Sequence, residues 1–252
     1  MKTMLEQRVG EIAAEMPGSA KVFKDHHIDF CCGGKRRLQD ACRVAGADPD
    51  EVAAKILAAS KSPSALMRAW NDEPLEDLIR YILEVHHTYM RSELPSLSRI
   101  IANLDDFQGV RQQAVLPIRR ALARLTDEIQ AHMRKEETVL FPAIIRLEGA
   151  VIAKAALPKF AFGSVHNPIR MMEQEHDAIG SIFGEIRTHS GVCTLRDPQY
   201  EMFRVCGALS SLETDQQEHI HLENNVLFPR AMQLEAQLIG SPKAHGMANG
   251  AT

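Results

Sequence analysis

Aromatic residues are scarce, at 5% of the 252 residues with a single Trp, and this argues against a sheet-built core, which draws on aromatic and β-branched side chains. No run of about 18 apolar residues is present, so no membrane span is expected. Positive charge is not in excess either: 29 basic against 33 acidic residues leave a formal charge of -4, and nucleic acid is not an expected partner. The first twenty residues mix charge with short apolar pieces and hold no signal-peptide core. Cysteine is limited to five, an odd number with Cys31 and Cys32 adjacent, which fits reduced thiols in the cytoplasm better than a disulfide framework. Cys42, Cys193 and Cys206 read as packing residues.

What remains is a palette rich in Ala and Leu, with 45% hydrophobic and 25% charged residues, enough for a helical core. Residues 1–60 read as short helical pieces broken by Pro17-Gly18, Cys31-Cys32-Gly33-Gly34, Gly46 and Pro49, a small helical domain of its own. A linker follows over 61–73. Helical periodicity then predicts four long helices within 74–238: from Pro74 to about Ile101, Val110 to Arg146, Pro168 to His189, and Pro198 to Gln237. The stretch 147–167 is a connection of unassigned fold, and the tail 239–252 reads as disordered. The expected fold is all-α, an antiparallel four-helix bundle behind a small N-terminal helical domain.

Eleven histidines exceed what packing needs, and their placement is periodic. His132-x-x-x-Glu136-x-x-x-Leu140-Phe141-Pro142 recurs as His219-x-x-x-Glu223-x-x-x-Leu227-Phe228-Pro229. Each copy follows a histidine in the preceding helix, His87 before the first and His176 before the second. Residues four apart on an α-helix differ by only about 40° in direction, so each His and Glu face one point. A lone His-x-x-x-Glu is commonly a solvated surface pair; two copies with matched tails and matched upstream histidines are not explained that way. Four imidazoles and two carboxylates buried together without neutralisation would be very costly, and cations resolve the conflict. The donor count predicts two metals with both carboxylates bridging. Nitrogen and oxygen donors without thiolate favour iron, then manganese, then zinc. The Leu-Phe-Pro pieces read as core plus helix stop.

Helical rotation places His86 and His221 away from the inward direction, at the surface or in an outer layer around the site, although period alone leaves the choice between His86 and His87 open. Glu128, one turn before His132, and Glu175, beside His176, are the candidate catalytic groups that would orient ligands or relay protons, against an ordinary surface role for Glu175. Cys31 and Cys32 offer a reactive or cofactor-binding thiol pair, weighed equally against a glycine-rich turn with small buried residues. His26 and His27 read as surface residues, and Gly33-Gly34-Lys35 lacks the spacing of a phosphate-binding loop.

Over nearly its whole length the chain resembles the Repair of Iron Centres di-iron family of the YtfE, ScdA and DnrN type. Asp29-Phe30-Cys31-Cys32-Gly33-Gly34 is similar to the signature of that family's N-terminal domain. His132 through Glu137, Glu175-His176-Asp177 and His219 through Pro229 are similar to its hemerythrin-like bundle, and His87, ahead of Arg91 and Leu94-Pro95, falls at its first ligand. The resemblance implies two non-haem iron ions with an oxo or hydroxo bridge, Glu136 and Glu223 bridging, His87 and His219 on one iron, and His132 and His176 on the other. It implies repair of iron-sulfur proteins damaged by nitric oxide or oxidants, through iron donation, reduction of nitric oxide to nitrous oxide, or both, with an electron donor of unspecified identity; a homodimer is compatible with it. Competing readings are a hemerythrin-like oxygen or iron carrier, for which five histidines would be expected, and a nitric oxide or redox sensor without turnover.

Overall fold

The computed structural model describes residues 2–16, 18–60, 70–103, 112–189 and 201–240. The expectations for the tail beyond Gly240, most of the linker, Cys193 and the helix starts at Val110 and Pro198 lie outside these residues. Five short helices come first: α1 (Lys2–Glu6), α2 (Val9–Glu15), α3 (Ser19–Asp25), α4 (Leu38–Ala45) and α5 (Pro49–Ala59). They enclose a core of their own, with Val9, Ile12, Phe23, Phe30, Leu38, Val52 and Ile56 at its centre.

Four long rods follow, three of them interrupted by a π-helical turn. The first joins α6 (Leu75–Tyr81) through the π-turn Ile82–His87 to α7 (Thr88–Asn103), and the second joins α8 (Gln112–Lys135) through Glu136–Leu140 to α9 (Phe141–Ile152). The third is α10 (His166–His189), and the fourth joins α11 (Glu201–Leu222) through Glu223–Leu227 to α12 (Phe228–Gly240).

The order of the rods follows from which residues share a core. Leu94, Ile101, Val115, Leu125, Phe183, Val205 and Leu212 cluster at one end, whereas Leu75, Ile82, Leu147, Val165, Ile169 and Ala231 cluster at the other. Sequence number therefore rises toward the first end in rods one and three and rises away from it in rods two and four, which is an antiparallel up-down-up-down bundle.

Two findings correct the sequence reading. Pro142 and Pro229 do not stop their helices. Each stands at the start of a new α-segment just after a π-turn, where the N–H that proline lacks has no regular partner to lose. The connection 147–167 resolves into the end of α9 and a short link in which Lys154 and Gly163 take positive φ and Arg146 lies over the Phe160 ring.

The rods are also capped reciprocally. Glu148 accepts hydrogen bonds from the backbone N–H groups of Leu75 (2.7 Å) and Glu76 (3.0 Å), satisfying the first turn of α6. Glu235 does the same ahead of α10, accepting from Val165 N (3.0 Å) and the Ser164 hydroxyl (2.5 Å). Each cap stands twelve positions beyond the Glu of its repeat, so the duplication extends past the Leu-Phe-Pro tail.

Candidate metal centre

Between the two apolar clusters lies a polar layer made of His87, His132, Glu136, His176, His219 and Glu223, each no more than 1% exposed. Rod one brings His87, rod three His176, and rods two and four their His-Glu pairs. The two carboxylates divide the layer into two compartments. Glu136 places Oε2 3.3 Å from His87 Nε2 and Oε1 3.1 Å from His132 Nε2. Glu223 places Oε1 3.1 Å from His219 Nε2 and Oε2 3.1 Å from His176 Nε2. Within each compartment the two rings face each other, His87 and His219 at 3.3 Å and His132 and His176 at 3.1 Å. Donors about 2.1 Å from a cation and 90° apart are separated by about 3.0 Å, so these spacings suit a coordination shell.

The proton positions agree. Three rings engage an acceptor at Nδ1: His87 donates to Glu137 (2.6 Å), His132 to Glu175 (3.1 Å), and His176 to the Asn224 carbonyl oxygen (3.0 Å). A neutral imidazole has one N–H, so each of these rings turns an Nε2 lone pair inward. All four oxygens of Glu136 and Glu223 are buried without a hydrogen-bond partner. Buried orphan acceptors beside three inward nitrogen lone pairs and the His219 ring make a donor set that a cation fits and a hydrogen-bond network does not.

With protons as the only positive charges, the balance shifts in the same sense. Burial opposes charge on His132, yet the Glu136 and Glu175 carboxylates outweigh it and push its imidazolium up to about 10. Burial likewise opposes charge on His87, which Glu136 and Glu137 raise. Burial disfavours ionised Glu136 and Glu223, and the Glu223 charge adds to this at Glu136, yet the histidines around them hold both low. His219 is pushed well down by burial and by the positive His87 beside it. A metal loaded here must displace protons, and its affinity falls as pH falls.

The layer around the six residues repeats as the ligands do. The residue after each Glu, Glu137 or Asn224, holds the histidine contributed by the preceding rod. The Phe of each Leu-Phe-Pro stacks on that same ring, Phe141 on His87 at 5.8 Å and Phe228 on His176 at 6.1 Å. The copies differ in charge. Glu137 is an anion held low by His87 and by Arg91, 2.5 and 2.6 Å away, against the opposing effect of burial, whereas Asn224 is neutral. The sequence reading gave Glu137 and Asn224 no such role and took the two Phe residues for core alone, although their fixed offsets from the repeated Glu were there to find.

Of the two candidate catalytic carboxylates, Glu175 holds His132 and pairs with Lys135, so it is not an ordinary surface group. Glu128 is exposed on α8 and apart from the gathered residues; Ile129 takes the buried place. His86 and His221 are not at the surface. His86 is 2% exposed, with Nδ1 3.0 Å from Asp215 Oδ1 and its ring stacked on His219, because the wider π-turn keeps two successive histidines inside. His221 points out of the bundle core but is covered by the N-terminal unit, edge-on to Phe30 at 5.6 Å.

Cys31 and Cys32 sit in that same covering loop, outside the six-residue layer. Asn224 donates to the Cys31 carbonyl (3.2 Å) and Asn225 to that of Phe30 (3.0 Å), while Lys35 pairs with Glu173 at 2.8 Å. The approach is close: a Cβ at Gly10 or Gly34 would lie 2.0 or 2.3 Å from Asn225 Oδ1. Cys42 is free and buried, but Cys206 is disulfide-bonded, contrary to the expectation of reduced thiols throughout. Among the described residues no helix is long and apolar enough to cross a membrane.

Residues 5–60 match ScdA_N, a domain of unknown function (DUF542), and residues 78–231 match the hemerythrin HHE cation binding domain. The chain is 32% identical over 230 residues to the iron-sulfur cluster repair protein YtfE of Yersinia pestis (strain Pestoides F), covering 91% of this chain and 98% of that protein. The same figures hold for its namesake in Yersinia pseudotuberculosis serotype O:1b (strain IP 31758). With its duplicated His-Glu layer inside an antiparallel bundle, the chain belongs to the hemerythrin HHE cation binding domain family, joined to an ScdA_N domain.

Proposed function

We propose that this chain is a non-haem di-iron protein of the cytoplasm that repairs iron-sulfur clusters damaged by nitrosative or oxidative stress, by giving up iron to the damaged protein. One observation carries the reading: Glu136 and Glu223 each turn two buried, unpartnered oxygens toward two histidine pairs. Two iron ions would be held there, one by His87 and His219 and the other by His132 and His176, with Glu136 and Glu223 and an oxo or hydroxo group shared between them. When bound, iron supplies a ferrous-ferric couple and positions open to small ligands such as nitric oxide.

The protein's own groups set how firmly the ions are kept. Glu137, Glu175 and Asn224 fix three imidazoles with Nε2 inward, and Glu136 and Glu223 would hold the ions from between the two histidine pairs. A reversible oxygen carrier is the weaker reading, because the two compartments hold four imidazoles and not five.

The test is transfer. Protein loaded without oxygen with isotopically labelled ferrous iron is mixed with an iron-sulfur hydro-lyase inactivated by nitric oxide. Labelled iron in the restored cluster, with recovery faster than from an equal amount of free ferrous iron, is expected. Label that stays in the bundle while the hydro-lyase remains inactive overturns donation, and nitrous oxide evolution with iron retained would point to nitric oxide reduction.

A further inference from the structure

We propose that Asp29, Cys31 and Cys32 form a second metal site, separate from the bundle: three donors for one thiophilic divalent cation, ferrous iron or zinc, with the remaining position open to the neighbouring cavity. Adjacent side chains on an extended strand point to opposite faces, so a Cys-Cys pair needs a turn to aim both sulfurs at one point. Asp29 makes that turn. Its Oδ1 accepts the backbone N–H groups of Cys31 (3.2 Å) and Cys32 (3.0 Å), and Cys32 takes helical angles (φ -86, ψ -38). Gly33 makes room for the carboxylate, since a Cβ there would lie 3.1 Å from Asp29 Cγ and Oδ2.

The resulting distances are those of a coordination shell. Sulfurs about 2.3 Å from a tetrahedral cation stand about 3.8 Å apart, and a sulfur and a carboxylate oxygen about 3.6 Å apart. Here Cys31 Sγ is 3.9 Å from Cys32 Sγ and 3.4 Å from Asp29 Oδ1, and ligand atoms of all three residues lie within 4.8 Å of one another. The three residues border a cavity of about 820 Å³ that Lys24 and His27 also line, which leaves space for a further ligand and places the Lys24 ammonium near a ligand set of three negative charges.

The neighbouring Cys32 thiol, burial and the Asp29 carboxylate together hold the Cys31 thiol well above its usual range, so without a metal it is a protonated, weakly nucleophilic group. Binding exchanges two S–H bonds for two metal–sulfur bonds and releases two protons to solvent, with no change of oxidation state. The loop is one amide away from the bundle site, through the Asn224 contacts to the Cys31 carbonyl and to His176. As a cation site the trio stands alone; as a stop for iron passing to a damaged protein it rests on the repair reading.

The experiment is an oxygen-free titration with Co²⁺ of the full chain, its bundle already loaded with iron. One ion beyond the bundle content is expected, with a thiolate-to-cobalt charge-transfer absorption in the near ultraviolet that Cys31→Ser or Cys32→Ser abolishes. Asp29→Asn keeps an oxygen for the two backbone N–H groups while removing the anionic donor, and should weaken binding at least about tenfold with the bundle iron unchanged. No additional ion, an additional ion without the sulfur absorption, or equal affinity in Asp29→Asn overturns the site. Bundle iron and circular dichroism report folding in every variant; if a serine variant misfolds, Asp29→Asn decides. In Glu223→Ala the cobalt-thiolate signal should persist as bundle metal falls, so failure of the di-iron reading and failure of this site register separately.

Discussion

Glu136 and Glu223 are each asked to face two compartments, and the orphaned state of their oxygens sets the size of the effect of losing one. Glu136→Ala or Glu223→Ala should cost roughly half or more of the bound metal, and much of the bundle's stability with it, because metal binding is coupled to folding. Elemental analysis and thermal melts check both; a double variant that kept full metal would remove the bridging assignment. Asn224 acts through His176 and not on the metal itself. Asn224→Ala leaves His176 Nδ1 without its acceptor and should lower metal affinity about 10- to 100-fold. Asn224→Asp, which imitates Glu137 of the other repeat, should recover most of that loss, whereas a purely steric role would predict no recovery. Competition with a chelator, read at the metal, separates the two.

At the scale of the element, three π-turns fall on the segments that carry His87, Glu136 and Glu223. Sequence periodicity assumes a uniform α-helix, which cannot turn both His86 and His87 inward, and this is why the choice between them stayed open and Pro142 and Pro229 were taken for stops. Where the helix is regular, as from Val115 to Met133, period and burial agree. The reciprocal caps give a separate test. Glu148→Ala leaves the N–H groups of Leu75 and Glu76 uncapped and should destabilise the bundle by about 1–2 kcal/mol, seen as a lower denaturation midpoint with metal content unchanged once folded. Loss of metal at full stability would mean that Glu148 serves the centre and not the helix end.

For the whole molecule, the junction between the N-terminal unit and the bundle includes a seam built on Asn224, Asn225, His221 and two glycines. His221 gives the seam a pH dependence. Burial pushes its imidazolium down to about 4, while its Nδ1 accepts from Asn225. In the unfolded chain this ring gains its proton near 6.5, and in the folded chain only near 4, so its contribution is intact above about 6.5 and is lost as pH falls toward 4. At about 1.4 kcal/mol per unit this amounts to about 3 kcal/mol. Urea midpoints measured across that window should drop more steeply for the native chain than for His221→Gln, and equal slopes would place His221 in a solvated setting.

Composition and helical period were enough to specify an all-helical bundle, and a duplicated spacing was enough to name His132, Glu136, His176, His219 and Glu223, because both properties are local: one turn of helix sets which side chains share a face; the choice of His87 over His86 needed the family resemblance. The seam is different in kind. It joins Phe30 and Cys31 to residues about 190 positions away through polar amides and glycines, which leave no hydrophobic signature, so the sequence left His221 between the surface and an outer layer around the site. Folding also chose Glu175 over Glu128 as the partner of His132, since only the approach of α10 to α8 determines which carboxylate reaches the ring.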